Sequence, residues 1–467
     1  MIPVKGYKNQ IVGVLGLGRT GLSTAYALLA GGAIPLLWDD NQLLRNKAQE
    51  LGFKLVDVES KKFKEMTLLI VSPGIPHLYP EPHSIIVKAL QLGVAIDNDI
   101  SLFFRSFATS NWRTFQVEPK IICVTGSNGK STTCKLLKHI LDSKNFDVEI
   151  GGNFGKSALE LSEATDGCIK ILEISSYQSE LARTLQPDLA VFLNFSDDHL
   201  DRHSGKGGYF AAKARLFCMG VPEKSIISID DYEGLYLSNR MQEEQTLANP
   251  VINISALKNL PGLGWNIFNR KGFMVEYRNK KQVYAIDLRQ NKVLVGDHGY
   301  QNASAAYAVS RALGISPKDI ESSLSSFSGL RHRAEILGKK NGVTFVNDSK
   351  ATNAAAAAAS VGSFKNIRWI LGGVSKADGI SPLLPISENV KSIYLIGSSA
   401  KEFSSKLSQV EHRISYTLDR AIVCAFKDAE IGDTVLLAPA CASFDQFNNF
   451  EDRGDKFKAL FSSLKGA

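Results

Sequence analysis

The segment Thr125-Gly126-Ser127-Asn128-Gly129-Lys130-Ser131-Thr132 carries the residue types of a phosphate-binding turn. Glycines let backbone N–H groups wrap an anion, and the N-terminus of a following helix adds positive potential. Lys130 can neutralise a terminal phosphate, and the hydroxyl of Ser131 or Thr132 can ligate Mg²⁺. The two glycines stand closer together than in the common G-x-x-x-x-G-K-[ST] loop, so this is a variant of it. An ordinary strand-to-helix turn with a surface lysine is the competing reading. Context favours phosphate: the apolar run Ile121-Ile122-Cys123-Val124 precedes the turn and a helical pattern follows it.

Further groups of this kind sit at the ends of neighbouring strand patterns. Glu173 closes Ile169-Lys170-Ile171-Leu172, and Asp197-Asp198-His199 follow a strand pattern ending at Asn194. In a parallel sheet the carboxyl ends of the strands face one crevice, where ligands bind. A carboxylate and an imidazole there can ligate Mg²⁺, although by position alone Glu173 can be a surface charge and His199 a hydrogen-bonded loop residue. Near the N-terminus, Gly16-Leu17-Gly18-Arg19-Thr20-Gly21 has the glycine spacing of a dinucleotide fingerprint, with Asp39 about 20 residues on. Lys213, in the apolar-rich helical run 209–217, reads by spacing as a lysine that snorkels to the surface.

These groups need scaffolds to hold them. The chain has 467 residues, enough for roughly two to four domains. Hydrophobic residues make up 44% and charged residues 22%, as in ordinary globular chains that bury cores without staples. The net charge of +7 suits anionic small molecules. No dense basic run with interleaved aromatics points to nucleic acid. The six cysteines form no C-x-x-C pair, which argues against a zinc site and for a reducing compartment. With no signal pattern and no long apolar run, a cytoplasmic protein without a membrane partner is expected.

Strand and helix patterns alternate from the N-terminus: strand 11–15, helix 22–30, strand 35–38, strand 67–71. The polar stretch 106–120 reads as a linker. A second α/β unit starts at Ile121, with less regular sequence and possible extra sheet over 221–295. The pattern restarts near 326–330, with strands expected at 343–346, 367–371, 392–396 and 434–438. Alanines 354–359 form a helix, since alanine is the strongest helix former. The fold class is α/β in three domains. They are a Rossmann-like domain over 1–112, a central P-loop-type ATPase domain over 113–327, and a C-terminal Rossmann-like domain over 328–467.

The residues above resemble a known family. The loop 126–132, Glu173-Ile174-Ser175-Ser176-Tyr177-Gln178, Asn194 with Asp198-His199-Leu200-Asp201-Arg202-His203, and the run around Lys213 are similar to the central domain of the Mur ligases. Those enzymes build the peptide stem of bacterial cell-wall precursors. The C-terminal runs Leu330-Arg331-His332-Arg333-Ala334-Glu335, Asn347-Asp348-Ser349-Lys350-Ala351-Thr352-Asn353 and 439–454 resemble the member that adds D-glutamate to UDP-N-acetylmuramoyl-L-alanine. The resemblance implies ATP and Mg²⁺, those two small-molecule substrates, and a monomer.

Site roles are implied by the same resemblance. Lys130, His199, Lys213 and Asn153 are expected to be catalytic. ATP contacts are expected from Gly126, Ser127, Asn128, Gly129, Lys130, Ser131, Thr132, Asn302, Arg333 and Asp348. For the UDP substrate they are Gly18, Arg19, Thr20, Gly21, Asp39, Asp40, Gly74, Asn153, Ser175, Gln178 and His199. For D-glutamate they are Lys350, Thr352, Lys376, Ser443 and Phe450. Metal contacts are implied for Ser131, Glu173, His199 and Lys213, the last as a carbamate. Phe154 and Lys156 depart from the Ile and Pro expected beside Asn153. Three rivals stand: another ATP-dependent amide ligase, a nicotinamide oxidoreductase using the first glycine loop, and a non-catalytic nucleotide-binding module.

Overall fold

A computed structural model of the chain describes residues 1–56, 60–108, 115–244, 251–291, 293–294, 296–375, 379–407 and 410–464. It divides into two compact units. The first comprises Met1–Asp287 with Gln301–Ser326, and the second Leu288–Tyr300 with Phe327–Ala467.

The first unit holds two sheets. One is a five-stranded parallel sheet in the order Lys54–Leu55, Ile34–Trp38, Ile11–Leu15, Leu68–Val71, Ala95–Asp97. Its central strands, Ile11–Leu15 and Leu68–Val71, are almost wholly apolar, as a sheet covered on both faces requires. Strand order reverses between these two, so the turns after them open one crevice. The helix Arg19–Ala30 begins three residues before the expected 22, because Gly18 is extended and serves as its N-cap.

The other sheet has nine strands. Lys120–Thr125 lies between Leu189–Phe192 and Ile169–Glu173, and Val148–Gly152 is the edge beyond. These pairings are parallel, so the phosphate turn, Glu173, Asn194 and Gly152 all leave the same end of the sheet. The irregular 221–295 region forms Lys224–Ser228, Val251–Ser255 and an antiparallel end made of Trp265–Arg270, Phe273–Arg278 and Lys281–Asp287.

Residues 106–120 begin inside structure rather than in a linker. The helix Asp99–Ala108 runs through Ser106, which is buried, and Phe103, Phe104 and Phe107 pack as an aromatic cluster. That apolar face shares a core with Ala158, Leu159 and Leu161, which holds the helix past the expected break.

The second unit carries a six-stranded sheet in the order Glu335–Lys340, Val343–Asn347, Thr434–Leu437, Ile367–Gly372, Val390–Ile396, His412–Tyr416. It is parallel except at the Glu335–Lys340 edge. The alanine run forms the helix Ala354–Ser363, capped by Asn353 accepting from the Ala356 amide.

Candidate active site

The phosphate turn is built by local conformation. Gly129 has φ +85°, in the left-handed region, and a Cβ there would overlap Asn302 Oδ1. Only glycine fits both demands. The helix Lys130–Asp142 starts directly after it, so its N-terminal N–H groups point toward the turn. Lys130 Nζ donates to the Gly126 and Ser127 carbonyls, both at 2.8 Å, which holds the ammonium over the loop. Asn194 braces the loop from the next strand. Its Oδ1 accepts from the Asn128 amide at 2.8 Å, its carbonyl accepts from the Ser127 amide, and its Nδ2 donates to Gln301. Thr133 Oγ1 donates to Asn302 Oδ1 at 3.2 Å, so Asn302 stands beside the turn.

Glu173 is 3% exposed and is not a surface charge. Its Oε2 accepts from Ser131 Oγ at 2.6 Å and its Oε1 from Asn153 Nδ2 at 2.9 Å. A hydroxyl and a carboxylate at the mouth of a phosphate loop are hard oxygen donors, the set that fits Mg²⁺. Among the described residues, no three His, Cys, Asp or Glu converge as a metal cluster, and all six cysteines are free thiols. His199 has φ 54°, lies 3.5 Å from Asp198 and packs at a tilt on the Tyr177 ring.

Lys213 overturns its reading as a surface lysine. It is 1% exposed, because it stands on the same face of the helix Lys206–Cys218 as the buried Tyr209, Ala212, Leu216 and Phe217. Its Nζ donates to the Gly126 carbonyl at 2.9 Å. Burial, and then the nearby Lys130 charge, hold its pKa well below that of an ordinary lysine.

A cavity of about 690 Å³ lies in the first unit, lined by the glycine loop, the 72–75 turn and residues of the central sheet. Gly18, Arg19, Thr20, Asp39, Gly74, Asn153 and Gln178 line it. Gly21 has a packing role, since a Cβ on it would overlap the Gly16 carbonyl. Asp39 Oδ2 accepts from the Leu17 amide at 2.7 Å and its Oδ1 from the Asn41 amide, closing the loop on itself. Asp40, mostly exposed, pairs with His83 and the Trp38 indole. Ser175 caps the helix Ser176–Leu181 and exchanges hydrogen bonds with Gln178. Leu44 also lines the cavity and carried no sequence signal, because nothing local marks an apolar helix residue as a wall.

The second unit gathers residues of its own. Lys350 Nζ sits 3.8 Å over the Phe450 ring. Ser443 is buried and, among the described residues, its Oγ has no hydrogen-bond partner, an orphaned donor that calls for an explanation such as a ligand. The Thr352 amide donates to the Lys350 carbonyl at 2.7 Å. Asp348 feels the charge of Arg333, and the two stand on the second unit. Lys376 lies outside the described residues.

Comparison with known proteins covers nearly the whole chain. Residues 9–97 match the Mur ligase MurD-like N-terminal domain, 124–310 the Mur ligase middle domain, and 332–441 the Mur ligase glutamate ligase domain. The UDP-N-acetylmuramoylalanine–D-glutamate ligase of Cereibacter sphaeroides is 52% identical over 99% of this chain and 100% of its own. The protein of the same name from Roseobacter denitrificans is 52% identical over 98% of each. Solved structures share the fold. A pseudomurein peptide ligase type C from Methanothermus fervidus has a TM-score of 0.56 at 17% identity, covering 98% of this chain and 100% of that one. The UDP-N-acetylmuramate–alanine ligase of Thermotoga maritima has a TM-score of 0.56 at 16% identity with the same coverage. A glycine-loop cavity, a lysine-bearing phosphate turn and full-length identity above one half together make this chain a member of the Mur ligase family, in its UDP-N-acetylmuramoylalanine–D-glutamate ligase branch.

Proposed function

We propose that the protein is an ATP-dependent ligase that joins D-glutamate to UDP-N-acetylmuramoyl-L-alanine in cytoplasmic peptidoglycan precursor synthesis. The observation that carries this is the 52% identity, over 99% of the chain, with a ligase named for that reaction. The geometry supports it. A carboxylate does not condense with an amine in water unaided, so it needs a better leaving group. A carboxylate oxygen attacks the γ-phosphorus of ATP and ADP leaves. The amine of D-glutamate then attacks the acyl carbon, inorganic phosphate departs with the former carboxylate oxygen, and the amine gives up its proton.

Phosphoryl transfer needs positioning and charge neutralisation more than covalent help. The loop amides of 126–132, the helix N-terminus and Lys130 provide both. Bound Mg²⁺ supplies further neutralisation of the phosphates, and Ser131 and Glu173 are the oxygens that would hold it. Asn153, bonded to Glu173 and lining the 690 Å³ cavity, is placed to orient the reacting carboxylate. That cavity takes the UDP substrate, with Gly18, Arg19 and Thr20 on its diphosphate, while Asn302, beside the phosphate turn, serves ATP. His199 would be a further ligand to that metal. Lys213, whose pKa burial lowers, is an amine suited to add CO₂, release a proton and become a carbamate anion.

For D-glutamate, the Lys350 cation and the Ser443 hydroxyl, unpartnered among the described residues, suit a dicarboxylate, with Thr352 and Phe450 as further contacts; Lys376, outside the described residues, is assigned to the same substrate. The protein acts as a monomer. The test is phosphate release from ATP that requires both UDP-N-acetylmuramoyl-L-alanine and D-glutamate. Release that needs only one of them, or neither, rejects the reading.

A further inference from the structure

Arg453 lies in the first turn of the helix Phe450–Ser463 of the second unit and is 1% exposed. A cation there opposes the helix dipole, so helix stability does not explain it. Burying a guanidinium is costly unless its donors are satisfied. Among the described residues it forms no ion pair. Its three nitrogens instead hold backbone and hydroxyl oxygens: Nε donates to Ser349 Oγ at 2.9 Å, Nη2 to the Ser349 carbonyl at 2.8 Å, and Nη1 to the Cys441 carbonyl at 3.1 Å. Ser349 Oγ passes a 2.8 Å hydrogen bond on to the Phe450 carbonyl. A Cβ built on Gly373 would stand 3.3 Å from Nη1, so the turn after Ile367–Gly372 presses on the same group.

The side chain thus ties the segments at Ser349 and Cys441 directly, reaches the Phe450 carbonyl through Ser349 Oγ, and packs beside Gly373. Ser349 precedes Lys350, Cys441 lies two residues before Ser443, Gly373 leads toward Lys376, and Phe450 opens the arginine's own helix. These are the segments that carry the residues assigned above to D-glutamate. Burial draws the arginine's pKa down to about 10, with the fields of Cys441 and Asp445 acting the other way, so it stays charged at neutral pH. We infer that Arg453 is a positioning residue of the amino-acid subsite, a fork that sets the mutual geometry of Lys350, Ser443 and Phe450 and whose unpaired charge helps draw in a dicarboxylate. The inference rests on the D-glutamate reading of that subsite.

The test compares Arg453→Met, Arg453→Lys and Ser349→Ala with wild type. Two measurements are made. One is KM for D-glutamate in phosphate release. The other is acyl phosphate formed without D-glutamate and trapped by hydroxylamine. Arg453→Met raises the KM about 10²-fold, the size of a 1 Å misplacement, with trapping and the KM values for ATP and the UDP substrate unchanged. Arg453→Lys, which keeps charge but loses the fork, and Ser349→Ala, which loses one acceptor, shift the same KM less. If Arg453→Met does not fold, these two variants carry the test. An unchanged D-glutamate KM, or an equal loss in trapping, overturns the inference. A wild-type enzyme whose phosphate release ignores D-glutamate defeats the substrate reading instead.

Discussion

Ser131 Oγ donates a 2.6 Å hydrogen bond to Glu173 Oε2, joining the start of the phosphate-loop helix to the end of the adjacent strand. Both side chains are buried, and the two residues are 42 positions apart. The pair exists because Lys120–Thr125 and Ile169–Glu173 run side by side and end together. A hydroxyl and a carboxylate meeting where phosphates would lie make the first prediction.

Glu173→Gln keeps the shape and removes the charge. Phosphate release falls roughly 10²-fold, the scale of losing one electrostatic group at the reacting centre. The Mg²⁺ concentration needed for half-maximal rate rises, while the melting temperature holds. A wild-type rate with wild-type Mg²⁺ dependence would remove Glu173 from the metal site.

Lys213→Ala leaves a hole beside the Gly126 carbonyl and no amine to carry a carboxylate. Most activity is lost, and short carboxylic acids added to the assay restore part of it. Mass spectrometry of the wild-type protein under CO₂ gives the complementary readout. Wild-type rates in the variant would discard the carbamate.

Gly129→Ala tests the turn itself. Alanine at φ +85° is strained by about 1–3 kcal/mol, and its Cβ meets Asn302. The variant melts earlier in urea and loses ATP binding by calorimetry. Unchanged nucleotide affinity would show that the turn tolerates a side chain and does not cradle phosphate.

Asp99 gives a pH dependence. It is 1% exposed and, among the described residues, neither carboxylate oxygen has a well-formed hydrogen bond. Burial raises its pKa to about 7; its own amide, the Ile100 amide and the Gln178 side chain only soften that rise. The folded state therefore holds a proton that the unfolded chain loses near pH 4. Its contribution is whole below about pH 4 and is lost as pH rises to about 7. Asp99→Asn, which needs no proton, is more stable than wild type by about 2–4 kcal/mol at pH 8 and equal to it near pH 4. Denaturant melts at the two pH values check this; a gain that does not vary with pH would place the effect elsewhere.

The phosphate turn was legible because its determinants are local: two glycines, a lysine and a hydroxyl between an apolar strand and a helix. The ordering of strands and helices was legible for the same reason, since apolar periodicity survives in any window of the chain. Lys213 was not. Its burial depends on what Tyr209, Leu216 and Phe217 pack against, and spacing on one helix cannot reveal a neighbour. The start of the linker at Ser106 was not legible either, because the polar composition there is outweighed by the aromatic cluster Phe103, Phe104 and Phe107, which carries the helix to Ala108.

By itself the sequence determined which residue types exist to hold phosphate, nucleotide sugar and a dicarboxylate, and the order in which the elements bearing them follow. Only the tertiary structure decided which oxygens meet, as at Ser131 and Glu173, that Asp39 closes its own loop, and that Arg453 ties Ser349 to Cys441. The reason is physical. Turn conformation is set by φ and ψ over a few residues, whereas burial and hydrogen-bond partnership are set by sheet register and packing between residues tens or hundreds of positions apart.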